Sequence, residues 1–182
     1  MTTPNNDTAL LVMDVQQGIL DRLPNGDAYV ATVRAAVDAA HARHIPVIHV
    51  VVGFRAGMPE VSKRNKSFSA LQTGAYPGLI DPKPAITPTG DDIVVTKRRV
   101  SAFAGSDLEV LLRGREIGHL VLTGIATSGV VLSTLREAAD KDFEITVLSD
   151  LCLDFDAEVH QVLVEKVFPR QANVITSQEW MA

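Results

Sequence analysis

Short apolar runs recur along this chain, each stopped by a polar residue or a tight turn and each followed by a stretch with helical spacing. Thr8-Ala9-Leu10-Leu11-Val12-Met13 is continuously apolar, as a strand covered on both faces must be, and it stops at Asp14. Val47 to Val52 repeats the pattern after Pro46, Ile93 to Thr96 stops at Lys97, and His119 to Thr123 leads into Gly124. Glu144 to Leu148 stops at Ser149-Asp150, and Asn173 to Ile175 precedes a short Ser177-Gln178-Glu179-Trp180 turn. Between the runs, Val30, Val33, Val37 and Ala40 recur at helical spacing after Asp27, which reads as an N-cap. Ser106 with Glu109 reads as a capping box for a helix to about Arg113, and Ser128 to Ala139 is a further helical stretch. Asp156 caps a last helix with Val159, Val162, Leu163 and Val167 as its apolar face. Strand and helix alternating in this way predict an α/β fold: a Rossmann-like, open, mostly parallel six-stranded sheet with helices on both faces. The 182 residues suit one domain, 1–182.

The exception to the alternation is Gly53 to Asp92. Pro59, Pro77, Pro82, Pro84 and Pro88 break it up, leaving room for one short helix near Ser67 to Thr73. A loop of this length within a compact fold is uncommon unless it is functional, so it is expected to wall or cover a pocket. Phe54, Arg55, Arg64, Asn65, Lys66 and Phe68 place cations beside aromatics there, a mixture suited to a small anionic or carboxylate ligand. Phe54 and Arg55, directly after a strand, are the residues assigned to the pocket, whereas Arg64 and Lys66 read as solvated.

Composition excludes several classes of partner. A net charge of −5 supplies no positive footprint for nucleic acid or an anionic membrane surface. No apolar run approaches the roughly 20 residues of a membrane span. Residues 1–7 show neither the basic start nor the apolar core of a signal peptide, so the expectation is a soluble cytoplasmic protein. Cys152 is the single cysteine, so neither an internal disulfide nor a thiolate metal cluster can form.

In a parallel sheet all strand C-termini face one edge, and ligands bind there. Asp14, Lys97 and the turn Gly124-Ile125-Ala126-Thr127-Ser128-Gly129-Val130 each follow a strand. An acid, a cation and a strand-to-helix turn are therefore placed to converge.

These residues carry a family resemblance. Asp14-Val15-Gln16 resembles the Asp-x-Gln motif of the isochorismatase-like cysteine hydrolases, and Lys97 to Phe103 resembles their Lys-x-x-x-Ser-x-Phe motif. The 124–130 turn resembles their nucleophile turn, and Ser149-Asp150 and Asp156-x-x-Val159-His160 extend the match in the same order. The resemblance implies the isochorismatase-like hydrolase fold and an aspartate acting as proton carrier, Asp14, held charged by a lysine, Lys97. It also implies a cis peptide after Ile125 and an oxyanion hole from the backbone N–H groups of Ala126 and Val130. Gln16 and Phe103 fall on its substrate-side positions. Assembly into homo-oligomers, dimers or larger, is common in the family.

The pattern breaks at Val130, which stands where the family has its catalytic cysteine. Valine has no lone pair with which to attack, so a covalent thiol intermediate is excluded at this position. Backbone donors do not depend on the side chain and survive the change. The isochorismatase branch also lacks the thiol, having glycine there, and protonates a vinyl ether through the aspartate. Two readings follow: a small-molecule hydrolase using Asp14 and Lys97 as acid-base machinery without a covalent thiol step, or an inactive member acting as a ligand-binding or assembly protein. Cys152, just beyond the fifth strand, is a geometrically possible substitute nucleophile, set against its reading as a buried apolar filler. Gly53 to Asp92 contains no histidine, and His41, His44, His49, His119 and His160 lack ligand spacing, so no metal is expected. Without a Gly-x-Gly-x-x-Gly run, no dinucleotide or other cofactor is implied.

Overall fold

The computed structural model describes residues 7–23, 26–74 and 82–182. Pro77, and the N-terminal stretch before Asp7 on which the absence of a leader was read, lie outside them. Six strands form one parallel sheet: β1 (Thr8–Met13), β2 (Val47–Val52), β3 (Ile93–Lys97), β4 (His119–Ile125), β5 (Glu144–Leu153) and β6 (Asn173–Ile175), in the spatial order β3-β2-β1-β4-β5-β6. The chain winds outward from β1 in one direction and from β4 in the other, so the strand order reverses between β1 and β4. Their C-terminal ends form the switch-point crevice of an open α/β sheet.

Alternation along each strand divides the core into two layers. Ala9, Leu11 and Met13 face one cluster with α4 (Leu108–Gly114) and α5 (Leu132–Asp140). Leu10 and Val12 face the other, with α1 (Gln17–Leu20), α2 (Gly26–Ala42) and α3 (Lys66–Ser69). Two further helices, α6 (Ala157–Val162) and α7 (Ser177–Met181), follow β5 and β6. Full burial of β1 and β2 explains why they read as unbroken apolar runs rather than alternating ones. No helix among the described residues is long and apolar enough to cross a membrane.

Several local expectations are corrected. Asp27 lies inside α2, one residue after Gly26, and is not its N-cap. The Ser106–Glu109 capping box does not form: Ser106 Oγ accepts from Leu108 N but donates to Ala102 O at 2.6 Å, and Glu109 pairs with Lys141 at 2.7 Å. Between Thr127 and Val131 the chain makes a π-turn before α5, with Ala126 O accepting from both Gly129 N and Val131 N. In α6, Asp156 does accept from Glu158 N and Val159 N. Val159 and Val162 are nevertheless exposed, because the π-turn Leu163–Val167 resets the helical phase and turns only the later residues toward the sheet.

β5 continues to Leu153, so Cys152 lies within the strand and not beyond it. The β4–β5 register slips between Leu122 and Gly124, bringing Gly124 opposite Cys152. Asp150 sits in the irregular part, where both carboxylate oxygens accept from Ser177, one from its N–H and one from its hydroxyl, each at 2.6 Å. The Ser149-Asp150 pair thus anchors the start of α7.

Candidate active site

Asp14 is the first residue past β1 and adopts φ 57°, a left-handed conformation that aspartate tolerates better than most residues. The backbone is held there by Asp14 N donating to Val50 O at 2.8 Å and Gln16 N donating to Asp14 O at 2.9 Å. Lys97 ends β3, two strands away with β2 between, and strands lie roughly 4.8 Å apart. Its long side chain crosses that gap beneath the surface. Nζ lies 3.0 Å from Asp14 Oδ2 and donates to Arg99 O at 2.8 Å, and the lysine is 2 % exposed.

The two oxygens of Asp14 differ. Oδ2 faces Lys97, whereas Oδ1 is buried with no hydrogen-bond partner among the described residues. Burial pushes the Asp14 carboxyl above its ordinary value of 3.8, and the Lys97 charge and hydrogen bond pull it down by less. A buried carboxyl that holds its proton above the usual range, with one oxygen unspent, is equipped to give and retrieve a proton.

The turn after β4 supplies the facing wall. Gly124 has φ 143°, and a Cβ there would stand 2.2 Å from Met13 O, so only glycine lets β4 run this close to β1. The Ile125–Ala126 peptide is cis. Thr127 is fully buried with its hydroxyl 2.8 Å from His160 Nδ1, and Ser128 N donates to Asp154 Oδ2 at 2.6 Å. The turn is therefore tied to the β5–α6 connection and to α6.

Asp14, Lys97, Ile125, Ala126, Gly129 and Val130 line a single hollow of about 230 Å³. Val130 is 2 % exposed and presents a hydrocarbon surface there. Four of the residues assigned to substrate lie elsewhere. Gln16 is fully buried, and its amide donates to Val52 O at 3.1 Å and accepts from Val52 N at 2.7 Å, standing in for a strand neighbour at the end of β2. Phe103 is buried against Phe143, ring centroids 6.0 Å apart, in the core layer of α4 and α5. Arg55 points outward into an ion pair with Glu60 at 3.0 Å. Phe54 packs edge-on to Phe68 at 5.7 Å and lines a separate hollow with Arg55. The long loop does wall the site, but through Ser67, Phe68 and Leu71.

As site residues, sequence reasoning also passed over Ile19, Arg22, Val52, Val100 and Phe155, which complete the lining. Ile19 and Arg22 stand three apart directly after the Asp-x-Gln stretch, and that spacing was the available signal. Cys152 is not part of the site. It is 1 % exposed, its Sγ faces Leu122 O at 3.9 Å, and burial pushes the thiol up to about 12. Among the described residues no three His, Cys, Asp or Glu side chains are placed to share a metal ion.

Residues 8–179 match the model of the isochorismatase domain. The chain belongs to the isochorismatase family. It is thus an isochorismatase-family hydrolase by descent, with the six-stranded sheet of that fold. It is 33% identical over 175 residues to an uncharacterized isochorismatase family protein, YecD, of Escherichia coli O157:H7, covering 94% of this chain and 93% of the relative. Ureidoacrylate amidohydrolase RutB of Methylobacterium radiotolerans is 35% identical over 173 residues, 79% of this chain and 66% of that protein. Among solved structures, an isochorismatase family protein of Burkholderia thailandensis superposes with a TM-score of 0.85 at 32% identity, covering 97% and 95% of the two chains.

Proposed function

We propose that this protein hydrolyses a small molecule through acid-base chemistry at Asp14 and Lys97, with no covalent enzyme intermediate. The observation that carries the reading is the unspent, buried Oδ1 of Asp14, in a carboxyl that burial raises above its ordinary range. Protonated Asp14 gives its proton to the substrate, at the enol carbon of a vinyl ether or at the leaving nitrogen of a ureido or amide group. The carboxylate left behind is stabilised by Lys97 Nζ. Water adds to the activated carbon, the bond to the leaving group breaks, and the proton lost by water returns to Asp14. Backbone N–H groups of Ala126 and Val130 would stabilise oxygen charge that builds up in the addition. The similarity to a ureidoacrylate amidohydrolase supports a ureido or amide substrate as one arm of this reading.

The test is a screen of the purified protein against isochorismate, ureidoacrylate and small amides beside Asp14→Asn. Loss of a general acid lowers kcat by about 10² to 10⁴-fold, and turnover undiminished in Asp14→Asn refutes the role.

Val130 favours a second reading, a ligand-binding member that no longer turns over. It predicts ligand binding by the wild-type protein without turnover, and amidase activity gained in Val130→Cys, where a thiol would stand in the same hollow as Asp14.

A further inference from the structure

A second hollow opens near the same sheet edge, and its lining is charged. It is bounded by Arg55, Glu60, Arg98, Arg99 and Gly105 and shares no lining residue with the catalytic hollow. Arg55 and Glu60 come from the loop after β2, and Arg98 and Arg99 directly follow β3. One carboxylate oxygen holds two of the guanidinium groups: Glu60 Oε1 lies 3.0 Å from Arg55 Nη1 and 3.2 Å from Arg98 Nε. Arg98 Nη1 also donates to Gly53 O at 2.6 Å. Arg99 is clamped by carbonyls, Nη1 donating to Arg98 O and Nη2 to Glu60 O, each at 2.7 Å. With all of these partners counted, the lining among the described residues holds three cations and one acid. Carbonyls fix a guanidinium in place without cancelling its charge, and the one carboxylate cancels one charge of the three. Glu60 is 14 % exposed with Oε2 buried, so the acid sits at the base of the cluster, whereas Arg55 is 68 % exposed. A guanidinium carries five N–H donors. The partners named engage no more than two side-chain nitrogens of any one arginine.

We propose that this hollow binds a phosphate dianion, free or carried as a monoester. The net charge of the lining matches that of the dianion, and the planar fork of arginine donors matches its oxygens. A carboxylate answers only half of that charge. Gly105, at φ 73°, completes the wall, where a Cβ would stand 2.8 Å from Arg98 Cβ and displace that side chain. Lys97 Nζ donates to Arg99 O at 2.8 Å, so the catalytic cation is a near neighbour and the rival seat for an anion.

Inorganic phosphate, methyl phosphate and acetate are the probes, titrated at pH 8 and constant ionic strength and followed by NMR of the arginine Nε–H groups. Wild type is expected to bind phosphate with a Kd of about 1 mM and acetate at least about tenfold more weakly. Arg98→Gln should weaken phosphate about tenfold. Arg55→Glu alters a mostly exposed side chain and reads the site even where Arg98→Gln fails to fold; it should weaken phosphate by about as much. Arg64→Glu, the same charge reversal in the same loop but outside the hollow, should stay within about twofold of wild type. Methyl phosphate binding beside phosphate shows that a monoester is accepted, and phosphate binding alone restricts the occupant to the free ion; both support the dianion site. No saturation by phosphate up to about 20 mM, acetate binding as tightly, or equal weakening in Arg55→Glu and Arg64→Glu overturns the inference. So does phosphate binding that ignores Arg55→Glu and tightens about tenfold in Asp14→Asn, which strips Lys97 of its carboxylate and would place the anion in the catalytic hollow.

Discussion

Lys97 Nζ lies 3.0 Å from Asp14 Oδ2 although the two residues leave the sheet on β3 and β1, with β2 between them. The contact spans the whole left half of the sheet edge. It also places a cation against a carboxyl that burial is pressing to stay neutral.

The two influences on Asp14 act in opposite directions, so removing one has a defined sign. Lys97→Met deletes the group that lowers the carboxyl, leaving burial alone to raise it. Where protonated Asp14 is needed, activity falls as pH rises through its raised value, and in Lys97→Met that falling limb should move to higher pH. Native stability follows the same sign: Asp14 contributes fully below its ordinary 3.8, and the contribution is lost as pH rises through the folded value. Tm measured between pH 4 and 8 should therefore drop more steeply with pH in Lys97→Met than in wild type. A limb that moves to lower pH would contradict the assignment.

Gly124→Ala should be among the most damaging single changes to the fold. The added Cβ meets Met13 O at 2.2 Å, a backbone atom of the central strand, and the φ of 143° is unfavourable to any side chain. We expect a loss of at least about 4 kcal/mol or insoluble expression, read by urea unfolding. A variant within about 1 kcal/mol of wild type would mean that β1 and β4 can separate at their C-terminal ends.

Cys152 should behave as a small apolar filler. With its thiol pushed up to about 12 and 1 % exposure, it should resist iodoacetamide at pH 7.5 in the native protein and react promptly in urea. Cys152→Ala should leave any turnover within about twofold and cost about 1 kcal/mol in stability. Rapid native alkylation, followed by mass spectrometry, would reopen its candidacy as a nucleophile.

The turn that carries Ala126 and Val130 is held from beneath by Thr127 and His160. Thr127→Val removes the hydroxyl bonded to His160 Nδ1 at 2.8 Å and leaves a partly buried ring nitrogen without its partner. The expected cost is about 1 to 3 kcal/mol in stability. Ligand binding should weaken with it, and His160→Gln, which keeps a side-chain polar group near the hydroxyl, should be milder than His160→Leu. Equal effects of the two His160 variants on kcat and KM would argue against a positioning role.

How much of this was legible beforehand depends on the distance over which each feature is decided. Asp14 and Lys97 were legible as strand-end residues and Gly124 as the start of a tight turn, because strand runs are read from neighbouring residues; only the fold shows that β4 runs on through Gly124 to Ile125. Gln16 and Phe103 were placed on the substrate by analogy of motif, yet their side chains are spent on Val52 and Phe143, partners that only the packed sheet brings near. Arg55 was misplaced for a related reason: Glu60, five residues on, captures it before it can reach the site. Phe155 and Arg22 were overlooked because they come from connections more than a hundred residues apart and meet only across the switch point.

The sequence by itself determined the parallel sheet, the shared edge to which Asp14, Lys97 and the 124–130 turn are carried, and the absence of a side-chain nucleophile at Val130. All of these follow from local pattern or from the identity of a single residue. The tertiary structure decided how these residues are enclosed: the burial that raises the Asp14 carboxyl, the reach of Lys97 from β3 past β2 to it, and the stacking of Arg22 on Phe155 at the edge of the hollow. Burial and side-chain reach are properties of the packed chain, summed over elements distant in sequence, and no local window contains them.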